Sequence, residues 1–196
     1  VELVVSGRRT RIRGLQTHRK AVETAQPGTR TAVNLSGVSH YEVQRGDVLT
    51  TPGWLRRSIA VDAHLRLIAN APRPLKHNTA VSVHAGTTET LGRIRLLDRD
   101  QLYPGEDGWA QIRLQNPIAL VRGDFFVIRS SETTLGGGTV ADPYAKRHRR
   151  LHAPTLAGLT VLQQGSTQEV LLQALRGREP VEMGALAGQA NLSTDG

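Results

Sequence analysis

The sequence of 196 residues contains no cysteine, which excludes a disulfide framework, a cysteine-ligated zinc site and a thiol nucleophile. Aromatic residues make up only 4% of the chain, which argues against large platforms for stacking bases. No stretch approaches the roughly 18 apolar residues of a membrane span, and no apolar segment of a secretory signal opens the chain. Together these absences predict a cytoplasmic protein.

Catalytic motifs are also missing from the chain. Glycine never directly precedes lysine, so no G-x-x-x-x-G-K-[ST] phosphate loop exists, and neither H-E-x-x-H nor G-x-S-x-G occurs. His148 and His152 have the i, i+4 spacing of a metal-binding pair, but they stand among arginines without carboxylate or sulfur companions in the sequence. We therefore predict no catalytic residue, no metal site, no bound cofactor and no enzymatic activity for this segment alone.

Positive charge is the strongest feature of the composition. Lysine and arginine number 25 against 17 acidic residues, which gives a net charge of +8 and a pI of about 10.9. A surplus of this size favours a polyanionic partner, of which nucleic acid is the commonest. The alternative interpretation is a basic surface that only keeps the protein in solution.

Short alternating runs of apolar and polar residues dominate the sequence, and this period of two is typical of strands with one buried face. Turn signals containing proline and glycine separate the runs, so the pattern favours small β-barrels. Residues 45–49 (RGDVL) resemble residues 122–126 (RGDFF), which suggests two barrels in series, over residues 1–54 and 55–143. Three consecutive glycines, residues 136–138, are interpreted as a tight turn between strands.

The character of the chain changes after Asp142. A basic run at residues 146–150 (KRHRR) lies in a predicted linker over residues 144–162. Ser166 and Glu169 then form the pattern of a capping box before an apolar run with helical spacing. We predict that residues 163–196 begin a helical winged-helix unit that the chain does not complete. The predicted fold class is therefore mainly β, with two small barrels followed by a short, incomplete α-helical segment.

Two groups of basic residues are candidate contacts to RNA phosphates. The first is expected to share one face of a strand, because its members alternate along the chain: Arg9, Arg11 and Arg13. The second is the basic run in the predicted linker: Lys146, Arg147, Arg149 and Arg150. For both groups the alternative is an ordinary solvated surface.

Several phrases of the sequence resemble the selenocysteine-specific elongation factors, known as the SelB family. Residues 11–18 (RIRGLQTH) and 28–38 (GTRTAVNLSGV) are similar to the second domain of that family. Residues 83–89 (VHAGTTE) and the ending at 134–143 (TLGGGTVADP) are similar to its third domain. The resemblance covers roughly residues 1 to 150, and the helical tail resembles the first winged-helix domain more weakly.

The resemblance implies two EF-Tu-like barrels that hold the aminoacyl end and acceptor arm of selenocysteyl-tRNA for delivery to a ribosome paused at UGA. It also implies a preceding domain that binds GTP and Mg²⁺, and later winged-helix domains that hold an mRNA hairpin. On this basis we expect further sequence before Val1, including the first strands of the second domain. We also expect a monomer, without GTP hydrolysis or specific mRNA binding by this chain alone.

Arg30 is the residue that the resemblance singles out. It matches the position of an arginine in the family's aminoacyl pocket, where a cation favours the ionised selenolate over the neutral hydroxyl of serine by a charge-assisted contact. Two rival interpretations stay open at this point: the barrels of another translational GTPase that carries ordinary aminoacyl-tRNA, or a non-catalytic β-barrel module that binds RNA.

Overall fold

The computed structural model describes residues 1–166, 168–170 and 172, and β-strands dominate them. The mainly β class predicted from the sequence is confirmed. The first unit, residues 1–54, contains β1 (Glu2–Leu3), β2 (Arg8–Arg9), β3 (Ile12–Thr17), β4 (Lys20–Val22), β5 (Ala32–Leu35), a 3₁₀ turn (His40–Glu42) and β6 (Leu49–Thr50). The second contains β7 (Arg57–Leu67), β8 (Leu75–Lys76), β9 (Thr79–Ala85), β10 (Thr88–Leu96), β11 (Gln101–Leu102), β12 (Asp107–Ala119), β13 (Phe125–Arg129) and β14 (Thr134–Asp142), and helix α1 (Ala153–Gln164) follows.

The first unit consists of two small antiparallel sheets. Their strand orders are β2-β1-β6 and β4-β3-β5, and the described residues 1–54 do not close them into a barrel. Leu3 and Val4 are buried, whereas Ile12 and Val33 on the second sheet are 41% and 39% exposed. The first unit therefore buries little apolar surface of its own.

The second unit is a closed barrel of six antiparallel strands in the order β10-β12-β7-β14-β13-β9, and β8 and β11 pair beside it. The alternation predicted for β7 is confirmed, because Val61, Ala63, Leu65 and Leu67 all point into the core and are at most 1% exposed. Ile112 on β12 and Ile128 on β13 fill the same core. The intervening polar residues face outward and form the surface on which the later segments pack.

The three consecutive glycines lie within strand β14, so the prediction of a tight turn at residues 136–138 is wrong. They occur where β14 runs between β7 and β13 at very close range. A Cβ on Gly138 would meet the carbonyl oxygen of His64, and a Cβ on Gly136 would meet that of Arg66, each well inside van der Waals distance. Glycine is required here for close approach of backbones rather than for a turn.

The segment predicted to be a linker, residues 144–162, contains most of helix α1. Pro154 occupies the first turn of α1, where a missing N–H costs nothing. Leu156, Leu159 and Leu162 pack against a small cluster on the outside of the barrel, formed by Leu97, Trp109 and Ala141. The segment is therefore a folded element with an apolar anchor, because its leucines recur on one side of the helix.

The capping box predicted after this helix is present. The Ser166 backbone N–H and hydroxyl both donate to Oε2 of Glu169, at 2.8 and 2.9 Å, and the Glu169 N–H lies 3.4 Å from Oγ of Ser166. Residues 168–170 and 172 are helical. The rest of the predicted winged-helix start, up to residue 196, lies outside the described residues.

A hydrogen bond joins the first unit to the closed barrel, and Arg56 in the connecting segment contacts the residues that follow β14. Thr88 Oγ1 donates to the carbonyl oxygen of Gly46 at 3.1 Å. The Arg56 backbone N–H donates to the Tyr144 hydroxyl at 3.1 Å, and the Arg56 guanidinium lies 4.4 Å from the centre of the Tyr144 ring. The first unit thus contacts the barrel at Gly46, and the connecting segment is held at Tyr144 by a hydrogen bond and a cation–π contact.

Candidate nucleic-acid interface

A strained hairpin forms one end of the second sheet of the first unit. Thr17 pairs with Lys20, so His18 and Arg19 alone form the turn between β3 and β4. Both turn residues have positive φ, 50° and 66°, a conformation that two-residue hairpins require and usually meet with Asn-Gly. Non-glycine residues held in this region cost about 1–3 kcal/mol each and concentrate at functional sites.

Arg30 lies at the same end of this sheet. Thr29 donates through its hydroxyl to the carbonyl oxygen of Gln26 at 2.6 Å, which closes the turn that precedes Arg30. The carbonyl oxygen of Arg30 then accepts a hydrogen bond of 3.4 Å from Thr17 Oγ1, so Arg30 stands beside the base of the hairpin. Its side chain is exposed and makes no hydrogen bond or ion pair with the described residues. Arg30, His18, Arg19 and Lys20 thus give this end of the sheet a high density of basic groups.

The first predicted phosphate group does not share one strand face. Arg9 ends β2 and Arg13 lies on β3, because the chain changes sheets between them. The Thr10 N–H donates to the carbonyl oxygen of Val1, next to β1 of the first sheet. The Arg11 carbonyl oxygen accepts from the N–H of Ser36, next to β5 of the second sheet. The prediction of a single face is therefore wrong.

The guanidinium groups of this first group also differ in their partners. Arg9 Nε lies 3.2 Å from Oε2 of Glu2, and this carboxylate also accepts from the Gly53 N–H. The side chains of Arg11 and Arg13 are exposed and have no partner among the described residues. Arg11 and Arg13 therefore remain better placed than Arg9 to receive an external anion.

The basic segment, residues 146–150, crosses the outer face of the closed barrel. Gln111 Nε2 donates to the carbonyl oxygen of Lys146 at 2.8 Å, and the Leu151 N–H donates to Leu97 at 2.7 Å. Arg150 donates through Nε to the Leu96 carbonyl and through Nη2 to the Arg99 carbonyl, both at 2.8 Å, and the same Nη2 pairs with Asp100. Arg150 is thus an anchor, whereas the side chains of Lys146, Arg147 and Arg149 are exposed and make no hydrogen bond within the described residues.

Asp62 and His148 form the central attachment of the basic segment. His148 Nε2 lies 2.5 Å from Oδ2 of Asp62, and Gln111 Nε2 donates to the other carboxylate oxygen at 2.9 Å. Asp62 points outward from β7 but is fully buried, because the basic segment covers it. The hydrogen bond that His148 donates to the Asp62 carboxylate raises the pKa of His148, against the opposing effect of desolvation. Sequence reasoning missed this carboxylate partner, since Asp62 and His148 are far apart in the chain.

Two kinds of structural feature are absent from the part of the chain that the structure describes. Among residues 1–166, 168–170 and 172, no group of three or more His, Asp or Glu side chains could hold a metal ion. Over the same ranges, the structure contains no helix whose length and apolar character would suit a membrane crossing.

Comparison with known proteins defines the class first. Residues 62–147, which hold most of the closed barrel and the start of the basic segment, match the family model described as the beta-barrel domain of selenocysteine-specific elongation factor. The chain is also 40% identical over 178 residues to a selenocysteine-specific elongation factor from Desulfomicrobium baculatum. That alignment covers 90% of this chain and 28% of the relative.

The chain belongs to the family of selenocysteine-specific elongation factors, and the resemblance seen in the sequence is confirmed. It spans less than a third of the length of the curated relative it matches.

Proposed function

We propose that this chain is the tRNA-binding part of a GTP-dependent elongation factor that delivers selenocysteyl-tRNA to the ribosome at UGA codons. The observation that carries the proposal is the match of the closed barrel to this family, together with the 40% identity of the chain to a selenocysteine-specific elongation factor. The exposed basic residues on both units support it, because tRNA presents a continuous line of phosphates. The rival partner, an ordinary aminoacyl-tRNA, is an outcome of the experiment below.

Arg30 is proposed to contact the selenocysteyl group. A selenol is ionised at neutral pH, so the aminoacyl group presents an anion where serine presents a neutral hydroxyl. An arginine without an acidic partner can give that anion a charge-assisted hydrogen bond, and such bonds contribute about 1.5–3 kcal/mol. The exposed position of Arg30 beside the basic hairpin supports this role.

The phosphate contacts are proposed to come from both units. Arg11 and Arg13 on the first unit, and Lys146, Arg147 and Arg149 of the basic segment, have exposed side chains that are free to bind phosphates. Arg9 and Arg150 are proposed to contribute less, because protein acceptors already hold their guanidinium groups. Such contacts position the tRNA without reading its sequence.

Other activities of the factor are proposed to reside outside this chain. GTP and Mg²⁺ would bind in a preceding domain, since the chain itself contains no phosphate-loop motif. Recognition of an mRNA hairpin would belong to C-terminal winged-helix domains. This proposal implies a cytoplasmic monomer. It would contact the ribosome through the bound tRNA and through the domains outside this chain.

Binding of the protein, in its full natural length with GTP, to selenocysteyl-tRNA and seryl-tRNA of the same tRNA body tests the proposal. We expect the selenocysteyl form to bind at least about tenfold more tightly, in line with one additional charge-assisted bond. Equal affinity for both forms would favour a carrier of ordinary aminoacyl-tRNA. An absence of tRNA binding would contradict both interpretations.

A further inference from the structure

We propose that Arg93 and Arg113 form an additional anion site on the outer face of the closed barrel, and that it binds a backbone phosphate of RNA. Arg93 on β10 and Arg113 on β12 are direct cross-strand partners. Both are exposed on the outer face, because their neighbours Gly92, Ile94 and Ile112 are buried. We call these two residues the arginine pair; its identification as a tRNA contact rests on the function proposed above.

The arginine pair lacks the acidic partners that would neutralise it. Neither side chain forms an ion pair with any described residue; Arg93 makes one hydrogen bond of 3.3 Å, to the carbonyl of Asn78, and Arg113 makes none. Like charges directly opposite each other in an antiparallel pair are destabilising. An anion bound between the two guanidinium groups removes this repulsion and gains charge-assisted hydrogen bonds.

The surroundings of the arginine pair are basic as well. Arg95 is the next outward residue on β10, and it donates to Oε1 of Gln111 at 2.7 Å. Its pKa is lowered by burial and by the nearby charges of Arg147 and Arg150. Asp62, the carboxylate opposite Gln111, is buried and already bound by His148 and Gln111. The arginine pair and the basic segment therefore lie on one continuous positive surface.

The arginine pair lines a surface cavity of about 380 Å³. Arg93 and Arg113 line it together with Ala80, Leu91 and Gln115. Leu91 is 57% exposed, so an apolar side chain borders the two cations. The volume falls within the range of ligand pockets. Two cations, an amide and an apolar edge suit a phosphate that is attached to a larger group such as ribose.

RNA is favoured over a free phosphate because of the length of the positive surface. The arginine pair continues through Arg95 to Arg147 in the basic segment, so it offers successive cations rather than one isolated charge. A polyanion with regularly spaced phosphates can occupy such a surface, and each phosphate neutralised adds to the salt dependence of binding.

The test is the salt dependence of tRNA binding by the full-length protein carrying Arg93→Gln and Arg113→Gln together. We expect about tenfold weaker binding of selenocysteyl-tRNA and seryl-tRNA alike, with the slope of log affinity against log salt reduced by about 1 to 2. Arg73→Gln with Arg129→Gln is the matched control, since both residues are exposed, lie elsewhere on the barrel and change the charge equally. The control is expected to bind within about twofold of wild type.

The outcomes separate this site from the proposed function. Unchanged affinity and slope in the pair variant, or equal losses in the control, would overturn the site even if selenocysteyl-tRNA is still preferred. A loss confined to the pair variant supports the site even if the two tRNA forms bind equally. If inorganic phosphate stabilises wild type but not the pair variant while tRNA affinity is unchanged, RNA is the wrong partner. The melting temperature checks folding, and it should hold or rise because a repulsive pair has been removed.

Discussion

The two units of this chain differ in how firmly the underlying fold supports their basic residues. The closed barrel is built around a continuous core in which Leu65, Leu67 and Ile94 are completely buried, and its outer face is a rigid support for the basic segment. The first unit consists of two small sheets with several exposed apolar side chains, and Arg30 stands at one end of the second sheet, beside a strained hairpin. Because exposed apolar faces contribute little stability, the first unit gains less stability from apolar burial than the barrel does.

The largest expected effect comes from placing a side chain between two closely spaced strands of the barrel. Gly138→Ala places a Cβ against the carbonyl of His64 and forces the β14 and β7 backbones apart, so we expect a loss of about 3 kcal/mol or more in the free energy of unfolding. Gly14→Ala on β3 of the first unit is the control, since a Cβ there meets nothing within 4 Å. Denaturant unfolding measures both. Equal effects at the two positions would break the contrast between a dense barrel and an open first unit.

The next effect concerns the attachment of the basic segment. His148→Ala leaves the buried Asp62 carboxylate with one partner fewer, and we expect a loss of about 1–3 kcal/mol. The pKa of His148 is raised from 6.5 in the folded protein, so its ionic contribution is complete below that value and is lost as pH rises through the raised pKa. The stability difference between wild type and variant should therefore be larger near pH 6 than near pH 9.

Thermal unfolding across this pH range measures that difference, with His40→Ala in the first unit as the exposed control. A difference that grows toward high pH would contradict the assigned pairing of His148 with Asp62. Loss of the attachment should also release the basic segment from the outer face of the barrel, which hydrogen exchange at Leu151, bonded to Leu97, would detect.

A smaller effect is expected where the two units meet. Gly46 has φ of +99°, and a Cβ there would meet Oγ1 of Thr88 at less than contact distance. Gly46→Ala should destabilise by about 1–2 kcal/mol, and Thr88→Ala in the same protein should recover the part due to the clash but not the part due to φ. A double-mutant cycle by chemical unfolding gives the coupling. A coupling of zero would show that the two units do not touch there.

The smallest effect is a gain in stability. Arg19→Gly puts glycine at the second position of the hairpin turn, where φ is +66°, and should stabilise the first unit by about 0.5–1 kcal/mol. If the basic hairpin takes part in tRNA binding, the same change should weaken tRNA binding while raising the melting temperature. A destabilised variant would contradict the assignment of strain to this turn.

The fold was predictable where the sequence carries a local period. The alternation of Val61, Ala63, Leu65 and Leu67 predicted a half-buried strand, and the capping box of Ser166 and Glu169 predicted a helix start. The glycines at 136–138 were misinterpreted because close approach of strands depends on the partner backbones, which the sequence alone does not specify. Helix α1 differs from the predicted linker because proline, which interrupts most helices, suits the first turn, where Pro154 lies.

The candidate site was less predictable than the fold. Arg30 came from the family resemblance, and its role stays a prediction. The one-face arrangement of Arg9 and Arg13 failed because the chain changes sheets at Thr10, which depends on pairing with distant residues. The arginine pair could be found only from the register of β10 against β12, since Arg93 and Arg113 lie in different strands.

The most direct test of the account is the ratio of affinities for selenocysteyl-tRNA and seryl-tRNA, measured for the full-length protein, Arg30→Ala and the control Arg45→Ala. Arg45 is an exposed arginine of the same unit, so it controls for the loss of one charge. We expect Arg30→Ala to lose the preference by about tenfold or more, with seryl-tRNA affinity nearly unchanged, and Arg45→Ala to keep it. A preference that survives Arg30→Ala would contradict the proposal that this arginine contacts the selenolate.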